Sequence, residues 1–303
     1  MCVIKHLEEI ISIFEKYYCF FDLRNVNWTK IVQEARNSVD EDTTQKQLFK
    51  VVNKLISYID DEHVWIDTPY GTAENSHPDR PKNKQALANK KKYGTWISGR
   101  GPYDNDDTIR YGVEENIGFL FVGDTEDELE DWLDSKSMTK AKKLFKNTKA
   151  LVIDISDNGG GTDDTAIEFI SLFAKKSFLI FSKKEGNKDE PFRNRYVEPA
   201  DELFYNGPIF LITSRRTISA AEIVVMGMKC LSNVKQIGEA TSGSLSDILE
   251  KTLSNGWKLK TSYEVYFDSN KELWEGIGIQ PDIDICLVNV ASENNVETIK
   301  RIL

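Results

Sequence analysis

The sequence has few of the residues that mark disulfide-stabilised or zinc-binding proteins. Its four cysteines, Cys2, Cys19, Cys230 and Cys286, are scattered over 303 residues, and no two form a CxxC pair. Isolated cysteines in apolar or helical surroundings are more often buried thiols than bridges or metal ligands. We therefore expect neither a disulfide framework nor a zinc site.

Long apolar runs are also lacking. No stretch of about 18 apolar residues occurs, and acids interrupt the N-terminal MCVIKHLEEIISIFEK, where a secretory segment would be continuous. These features predict a cytoplasmic, reducing location without an integral membrane segment. Export would require a leader that this sequence does not include.

An excess of basic residues is absent too. Forty-nine acidic residues against thirty-nine basic ones give a net charge of −10, which repels phosphate backbones and argues against nucleic acid as a partner. A hydrophobic content of 40% suffices for a substantial core and excludes global disorder. The length favours one large core with an appendage.

The hydrophobic pattern changes twice along the chain. Apolar residues at helical spacing predict helices near 3–21, 28–35 and 48–59, which indicates a helical bundle over 1–68. Glycine, proline and polar residues then break every periodicity, which predicts a loop or cap over 69–116. The third region, 117–303, is expected to form the core.

That third region alternates short apolar runs with helical patterns. We expect buried strands at 117–122, 150–155, 209–213 and 234–237, helices at 124–145, 165–173 and 220–230, and an Asn-Gly hairpin at 254–257 followed by a strand over 259–267. Such alternation is typical of an α/β core with largely buried strands.

Three glycines follow the strand at 150–155 in the sequence DISDNGGG. Glycine allows a positive φ and lets backbone N–H groups approach a ligand closely. The spacing fits neither a dinucleotide fingerprint nor a P-loop, which leaves an oxyanion hole or a plain flexible turn as interpretations.

Ser219 in TISAAE opens the helix expected at 220–230. A serine at this position is ordinarily a helix cap. The same position exposes its hydroxyl beside free N–H groups at the positive helix end, which suits an acyl-transfer nucleophile. The residues alone leave both interpretations open.

The ordered set ALVIDISDNGGG, GPIFLITSRRTISAAE, VKQIGEATSG and SNGWKLKTSYEVYFDSNKELWEGIGIQPDIDI resembles the core of the C-terminal processing (tail-specific) serine peptidases. The resemblance covers roughly residues 117–286. It implies an α/β fold with the crotonase/Clp protease-like spiral ββα core. It further implies that Ser219 is the nucleophile and that the N–H of Ala220, with that of Gly160 or Gly161, forms the oxyanion hole.

The sequence departs from this family at the general base. Where many members have a lysine in GExTxGK, GEATSGS has Ser244, and Lys251 is a poor substitute because a base must come within about 3 Å of the serine oxygen. His63 in DDEHVW resembles the D-x-H segment of members without the lysine, such as the nisin resistance protein, which uses a Ser-His dyad. The alternative is a histidine paired with Asp60, Asp61 or Glu62.

Three acids are candidates for binding substrate or orienting the base. Glu222 lies one helical turn after Ser219 and so faces the same side; the resemblance implies a substrate-binding or organising role. Glu239 in IGEAT follows a strand, and Glu275 in WEGIGIQPD matches the segment from which the tricorn branch draws an acid. Glu239 or Glu275 could instead be a structural hydrogen-bond acceptor.

The sequence thus predicts a serine peptidase that cleaves a peptide or protein substrate with a Ser219–His63 dyad and uses no metal or organic cofactor. About fifty residues separate His63 from residue 117, too few for the PDZ module of many family members. Two alternatives stay open: an inactive peptide- or lipid-binding protein on the same fold, as in interphotoreceptor retinoid-binding proteins, and an esterase or amidase. The sequence does not specify the oligomeric state.

Overall fold

The computed structural model describes residues 3–75 and 109–284. Within these residues the chain forms seven helices: α1 (Val3–Tyr17), α2 (Trp28–Arg36), α3 (Gln45–Ile56), α4 (Asp127–Leu133), α5 (Lys136–Phe145), α6 (Asp163–Ser171) and α7 (Ala220–Lys229). The strands of the same residues are β1 (Trp65–Thr68), β2 (Gly71–Glu74), β3 (Ile109–Glu114), β4 (Ile117–Val122), β5 (Ala150–Asp154), β6 (Phe178–Glu185), β7 (Arg193–Val197), β8 (Ile209–Thr213), β9 (Val234–Gly238), β10 (Ile248–Thr252), β11 (Lys258–Ser262), β12 (Glu264–Asp268) and β13 (Ile283–Asp284).

A six-stranded sheet carries the α/β part of the fold, in the order β13-β9-β8-β5-β4-β3. All neighbours are parallel except β3, which pairs antiparallel with β4. Every residue of β4, β5 and β8 is buried, as expected for parallel strands covered on both faces. The predicted α/β class is confirmed, whereas the crotonase/Clp protease-like spiral stays a prediction.

Two predicted elements are interrupted in the structure. The helix expected at 124–145 is divided into α4 and α5, because the Ser135 hydroxyl caps a new helix by accepting from the N–H groups of Ser137 and Met138. The strand expected at 259–267 is divided into β11 and β12 at Tyr263. In both cases the apolar periodicity continues across a local break in the backbone hydrogen bonds.

A second sheet, in the order β10-β11-β1-β2, is antiparallel throughout. Gly256 has a φ of 84° in the predicted Asn-Gly hairpin between β10 and β11. Leu7 of α1, Leu48 of α3, Ile66 of β1 and Leu259 of β11 belong to one buried cluster. The amphipathic helices therefore bury their apolar faces against this sheet and each other. A third sheet has the order β12-β6-β7.

The described residues divide into two compact units. The first consists of 3–75, Lys183–Arg193 and Ser246–Tyr266, and the second of 109–182, 194–245 and 267–284. The boundaries predicted at 68 and 116 follow chain order, whereas both units are discontinuous. The difference has a physical cause: the N-terminal helices need an apolar partner, and β11 and the hairpin before it supply one from far along the chain, through Leu253, Trp257 and Leu259.

The predicted cap segment, 69–116, lies mostly outside the described residues. Its described ends form β2, which pairs with β1, and β3, which pairs with β4. None of the helices in the described part of the chain is long and apolar enough to cross a membrane.

Candidate active site

Ser219 lies in the turn between β8 and α7, directly before the first residue of the helix. Its φ of 60° and ψ of −129° fall in a region that residues other than glycine rarely adopt, at a cost of about 1–3 kcal/mol. The side chain is half-buried. A strained serine between a strand and a helix N-terminus is the geometry that exposes a nucleophilic hydroxyl.

The glycine turn after β5 lies directly against Ser219. Gly160 has a φ of 94°, and a Cβ added to it would lie 2.7 Å from the Ser219 Cβ and 2.8 Å from the Ile218 carbonyl oxygen. Only glycine fits there, because both the space and the backbone conformation exclude a side chain. The two motifs that the sequence singled out are therefore neighbours in the second unit.

Hydrogen bonds fix the shape of this turn. The Asn158 side chain accepts from the Gly160 N–H at 2.9 Å and donates to the Val122 carbonyl at 3.2 Å. The Thr125 N–H donates to the Gly160 carbonyl at 2.8 Å, and the Thr162 N–H donates to the Thr125 carbonyl at 2.9 Å. Asn158 is fully buried. The turn is thus held rigidly instead of being a flexible connection.

These hydrogen bonds also distinguish between Gly160 and Gly161, which the sequence left as alternative donors to the oxyanion. The Gly160 N–H is engaged by Asn158, so it points to a protein acceptor and not to a substrate. Gly161, with a φ of 156°, and Ala220 at the helix start are the remaining predicted donors. The geometry accordingly favours the pair Gly161 and Ala220 over the pair that includes Gly160.

Glu222 lies on the first turn of α7 and is 0% exposed. Its carboxylate accepts four hydrogen bonds, from Thr241 Oγ1 (2.5 Å), Gly243 N (2.9 Å), Ser244 N (2.9 Å) and Ser219 N (3.3 Å). Burial raises the pKa of Glu222 to about 7, although these four hydrogen bonds act to lower it. A carboxylate so enclosed favours the organising alternative for this residue over substrate binding.

Ser244, which stands where the resemblance puts a lysine, is next to the candidate nucleophile. Its carbonyl oxygen accepts from the Ser219 N–H at 3.0 Å, and its side chain is 2% exposed. Lys251 belongs to the first unit, where its Nζ lies 5.3 Å from the centre of the Tyr17 ring.

The other two predicted acids make different contacts. Glu275 is 2% exposed, and its carboxylate accepts from the Leu245 N–H at 2.9 Å. Glu239 is half-buried, and its backbone is bound on both sides to Thr213: its N–H donates to the Thr213 carbonyl at 2.9 Å, and its carbonyl accepts from the Thr213 hydroxyl at 2.7 Å. Glu275 thus has a buried carboxylate at the 241–245 segment, whereas the backbone of Glu239 serves a structural role.

His63 lies in the first unit, in a turn that Asp61 organises. The Asp61 carboxylate accepts from the His63 backbone N–H at 2.9 Å and from the Ser262 hydroxyl at 2.9 Å, and it forms an ion pair with Arg24 at 3.6 Å. Asp61 is 1% exposed. Asp61 therefore hydrogen-bonds the backbone of His63, and its effect on the ring is electrostatic.

The His63 imidazole is buried, at 5% exposure. Within residues 3–75 and 109–284, its Nδ1 has no hydrogen-bond partner. Burial lowers the pKa of His63 and Arg24 adds to this effect, while Asp61, a backbone hydrogen bond to Ser246 and Asp247 act to raise it. The ring is thus neutral at physiological pH and can accept a proton.

The sequence reasoning missed two residues that organise these groups, Asn158 and Thr241. Asn158 stands within the quoted DISDNGGG and Thr241 within GEATSG, so the motifs contained them without indicating their roles. In the described part of the chain, no group of three or more His, Cys, Asp or Glu residues is arranged to hold a metal ion.

Comparison with known families gives two matches. The model of Peptidase family S41 matches residues 119–285, more than half of the chain, and the model of the Tricorn protease C1 domain matches residues 5–57. Probable CtpA-like serine proteases are similar in sequence: that of Staphylococcus epidermidis is 23% identical over 223 residues (70% of this chain, 44% of the relative), and that of Staphylococcus aureus is 23% identical over 199 residues (64% and 38%). The chain spans less than half the length of these relatives.

Solved structures share the fold. A putative peptidase from Parabacteroides merdae superimposes with a TM-score of 0.81 at 22% identity, covering 94% of this chain and 90% of that one. A lipoprotein from Streptococcus agalactiae gives a TM-score of 0.63 at 16% identity (100% and 98%), and mature CPAF gives 0.68 at 10% identity (99% and 97%). At these identities the likeness concerns the fold alone.

Proposed function

The chain belongs to peptidase family S41, and on that premise we propose that it is a serine peptidase with Ser219 as its nucleophile and His63 as its general base. The proposal rests on the chemistry of each group in its own surroundings. Ser219 has a strained backbone at a helix N-terminus, and His63 has a buried Nδ1 and a lowered pKa. The names of the CtpA-like relatives support the same reaction class.

In the proposed reaction, the Ser219 oxygen attacks the scissile carbonyl carbon while His63 takes the hydroxyl proton. The N–H groups of Ala220 and Gly161 donate to the oxyanion that forms; such a donor is typically worth about 3–4 kcal/mol. The intermediate collapses, the C–N bond breaks, and His63 returns the proton to the leaving amine. Water then repeats the sequence on the acyl-serine and frees the new carboxylate.

The observation that carries this proposal is the contact between Gly160 and Ser219. A flexible glycine turn and a helix-capping serine need not touch, and neither needs a positive φ. In the structure both residues have one, and the turn approaches so closely that a single added carbon would collide with Ser219. A strained serine held against a turn that only glycine can form is typical of active sites.

The proposed substrate is a peptide in extended form, cleaved near its C-terminal end. Tail processing is the activity implied by the resemblance to C-terminal processing peptidases. No second function has a specific observation in its favour, and the tests below separate the remaining outcomes.

Intact-mass labelling with a fluorophosphonate probe tests the catalytic assignment. We expect wild type to take one label, and Ser219→Ala and His63→Ala to take none. Ser232→Ala, which changes an exposed serine just after α7, and His77→Ala are matched controls that should label as wild type does.

Three results would change the proposal. A folded wild type that takes no label would point to a binding protein on this fold. Equal labelling of His63→Ala and wild type would retain Ser219 and remove His63 as the base. Hydrolysis of ester substrates without cleavage of any peptide in a mixed peptide library would indicate an esterase.

A further inference from the structure

A group of interacting polar residues in the first unit fastens the chain at 246–247 to Glu264. The Ser246 hydroxyl accepts from the N–H groups of Tyr263 and Glu264 at 3.1 and 3.0 Å. Lys183 Nζ lies 2.6 Å from an Asp247 carboxylate oxygen and 3.0 Å from a Glu264 carboxylate oxygen. We call Lys183, Ser246, Asp247 and Glu264 the 246–264 clasp.

Three of the four clasp residues are largely buried, whereas the Asp247 side chain is 41% exposed. Ser246 is 1% and Glu264 2% exposed, and the Lys183 side chain is 12% exposed. Lys183 also donates to the Tyr266 hydroxyl at 2.7 Å, and Arg193 forms an ion pair with Glu264. An ion pair with this many partners at low exposure is worth more than a surface pair, because the surrounding donors and acceptors hold its geometry.

The clasp contacts His63 through the backbone of Ser246. The ring of His63 has a hydrogen bond to the backbone of Ser246, and Asp247 contributes to the electrostatic field at the ring. The other charged groups acting on the ring are Asp61 and Arg24. The orientation of His63 therefore depends on where residues 246–247 are held.

We propose that Lys183 and Ser246 are positioning residues for His63: by fastening residues 246–247 to Glu264, they hold the Ser246 backbone against the imidazole and keep water away from it. This inference rests on the proposed function of His63 as the general base. Neither residue touches the substrate in this role; both act through His63. The family lysine is absent at Ser244, and Lys183 serves the base without replacing it.

The test measures the His63 ring directly. The sequence has only three histidines, so imidazole ¹⁵N–¹H spectra contain three spin systems, and His63→Gln assigns the one of interest. We expect Lys183→Met and Ser246→Ala to raise the His63 pKa by about half a unit or more. Burial is the largest cause of the lowered pKa, so the access of water to the ring outweighs the weakened hydrogen bond to Ser246. The rate of fluorophosphonate labelling near neutral pH should fall about 10-fold.

Matched variants separate positioning from general destabilisation. Lys188→Met removes a lysine of the same segment, 183–193, whose pair with Glu185 is exposed, and it should leave both readouts unchanged. Lys183→Arg retains a cation and should restore both. Asp247→Asn can still accept from Lys183 but loses the charge that raises the His63 pKa, so it should lower that pKa.

The outcomes distinguish this inference from the proposed function. If the His63 pKa and the labelling rate are the same in Lys183→Met as in Lys188→Met, the positioning role is wrong and the peptidase assignment stands. If wild type takes no label although the clasp variants shift the His63 pKa, the peptidase assignment fails and the clasp is supported. If Lys183→Met does not fold, as judged by near-ultraviolet circular dichroism, Ser246→Ala decides: a His63 pKa and a labelling rate equal to those of wild type would overturn the proposal.

Discussion

The surroundings of Ser219 and those of His63 are built in different ways. Ser219 is held by backbone groups, the carbonyl of Ser244 and the turn at Gly160, with one enclosed carboxylate, Glu222. His63 is surrounded by charged side chains that come from separate parts of the first unit, namely Arg24, Asp61 and Asp247. A site built from backbone depends on conformations that few residues can adopt, whereas a site built from charges depends on pH and on partners distant in sequence.

The largest expected effect is that of Gly160→Ala, which tests the surroundings of Ser219, the backbone-built region. The added carbon would collide with Ser219 and with the Ile218 carbonyl, at a φ of 94°. We expect a loss of about 3 kcal/mol in the free energy of unfolding and a fall of about 100-fold or more in fluorophosphonate labelling. Urea unfolding and intact-mass spectrometry measure the two effects.

The neighbouring glycine supplies the control for this substitution. Gly159 is exposed, and a Cβ added to it would have no atom within 4 Å. Gly159→Ala should therefore retain both stability and labelling. A Gly160→Ala protein that labels as fast as Gly159→Ala would show that the close approach to Ser219 has no part in the reaction.

The contrast also explains what the sequence could predict. The positive φ at Gly160 can be anticipated from the sequence, because that conformation requires glycine. The buried strands β5 and β8, which lead into the two turns, are also predictable because they are continuous apolar runs. The contacts of Asp61 with Arg24 and Ser262, and of Lys183 with Asp247 and Glu264, join residues up to about two hundred positions apart. No local pattern predicts such pairs, and the discontinuous first unit was missed for the same reason.

The next effect in size concerns Glu222, the enclosed acid whose carboxylate accepts from the Ser219 N–H. Its folded pKa of about 7 lies above the ordinary 4.5, so the folded protein binds a proton more tightly than the unfolded chain. This contribution to stability is fully present below about pH 4.5 and is lost as the pH rises through about 7. Between about pH 5 and pH 8, wild type should lose about 2.5 kcal/mol from this group.

Glu222→Gln should remove that pH dependence, which urea unfolding at several pH values measures. The amide also places an NH₂ group among N–H donors, so labelling of Ser219 should fall at every pH. The exposed Glu250 of β10 provides the control, since Glu250→Gln should retain the wild-type slope. An unchanged slope in Glu222→Gln would mean that another group is responsible for it.

The smallest expected effect, that of Asp61→Asn, tests the region built from charges. The variant loses the ion pair with Arg24, whose guanidinium retains its hydrogen bond to the Asp60 carbonyl, and it should be destabilised by about 1–2 kcal/mol. The His63 pKa should fall, because Asp61 acts to raise it. Asp60→Asn, at an exposed neighbouring carboxyl, should change neither quantity.

The sign of the pH response then separates the two regions. The folded pKa of His63 lies below the ordinary 6.5, so the unfolded chain binds more protons as the pH falls below about 6.5, and stability decreases toward acid. Asp61→Asn enlarges this decrease because it lowers the folded pKa further. Glu222 has the opposite dependence, with its contribution lost toward alkaline pH. The contrary result is that the free energy of unfolding of Asp61→Asn has the same pH dependence as that of Asp60→Asn. That result would mean that Asp61 fixes the backbone of His63 without acting on its ring.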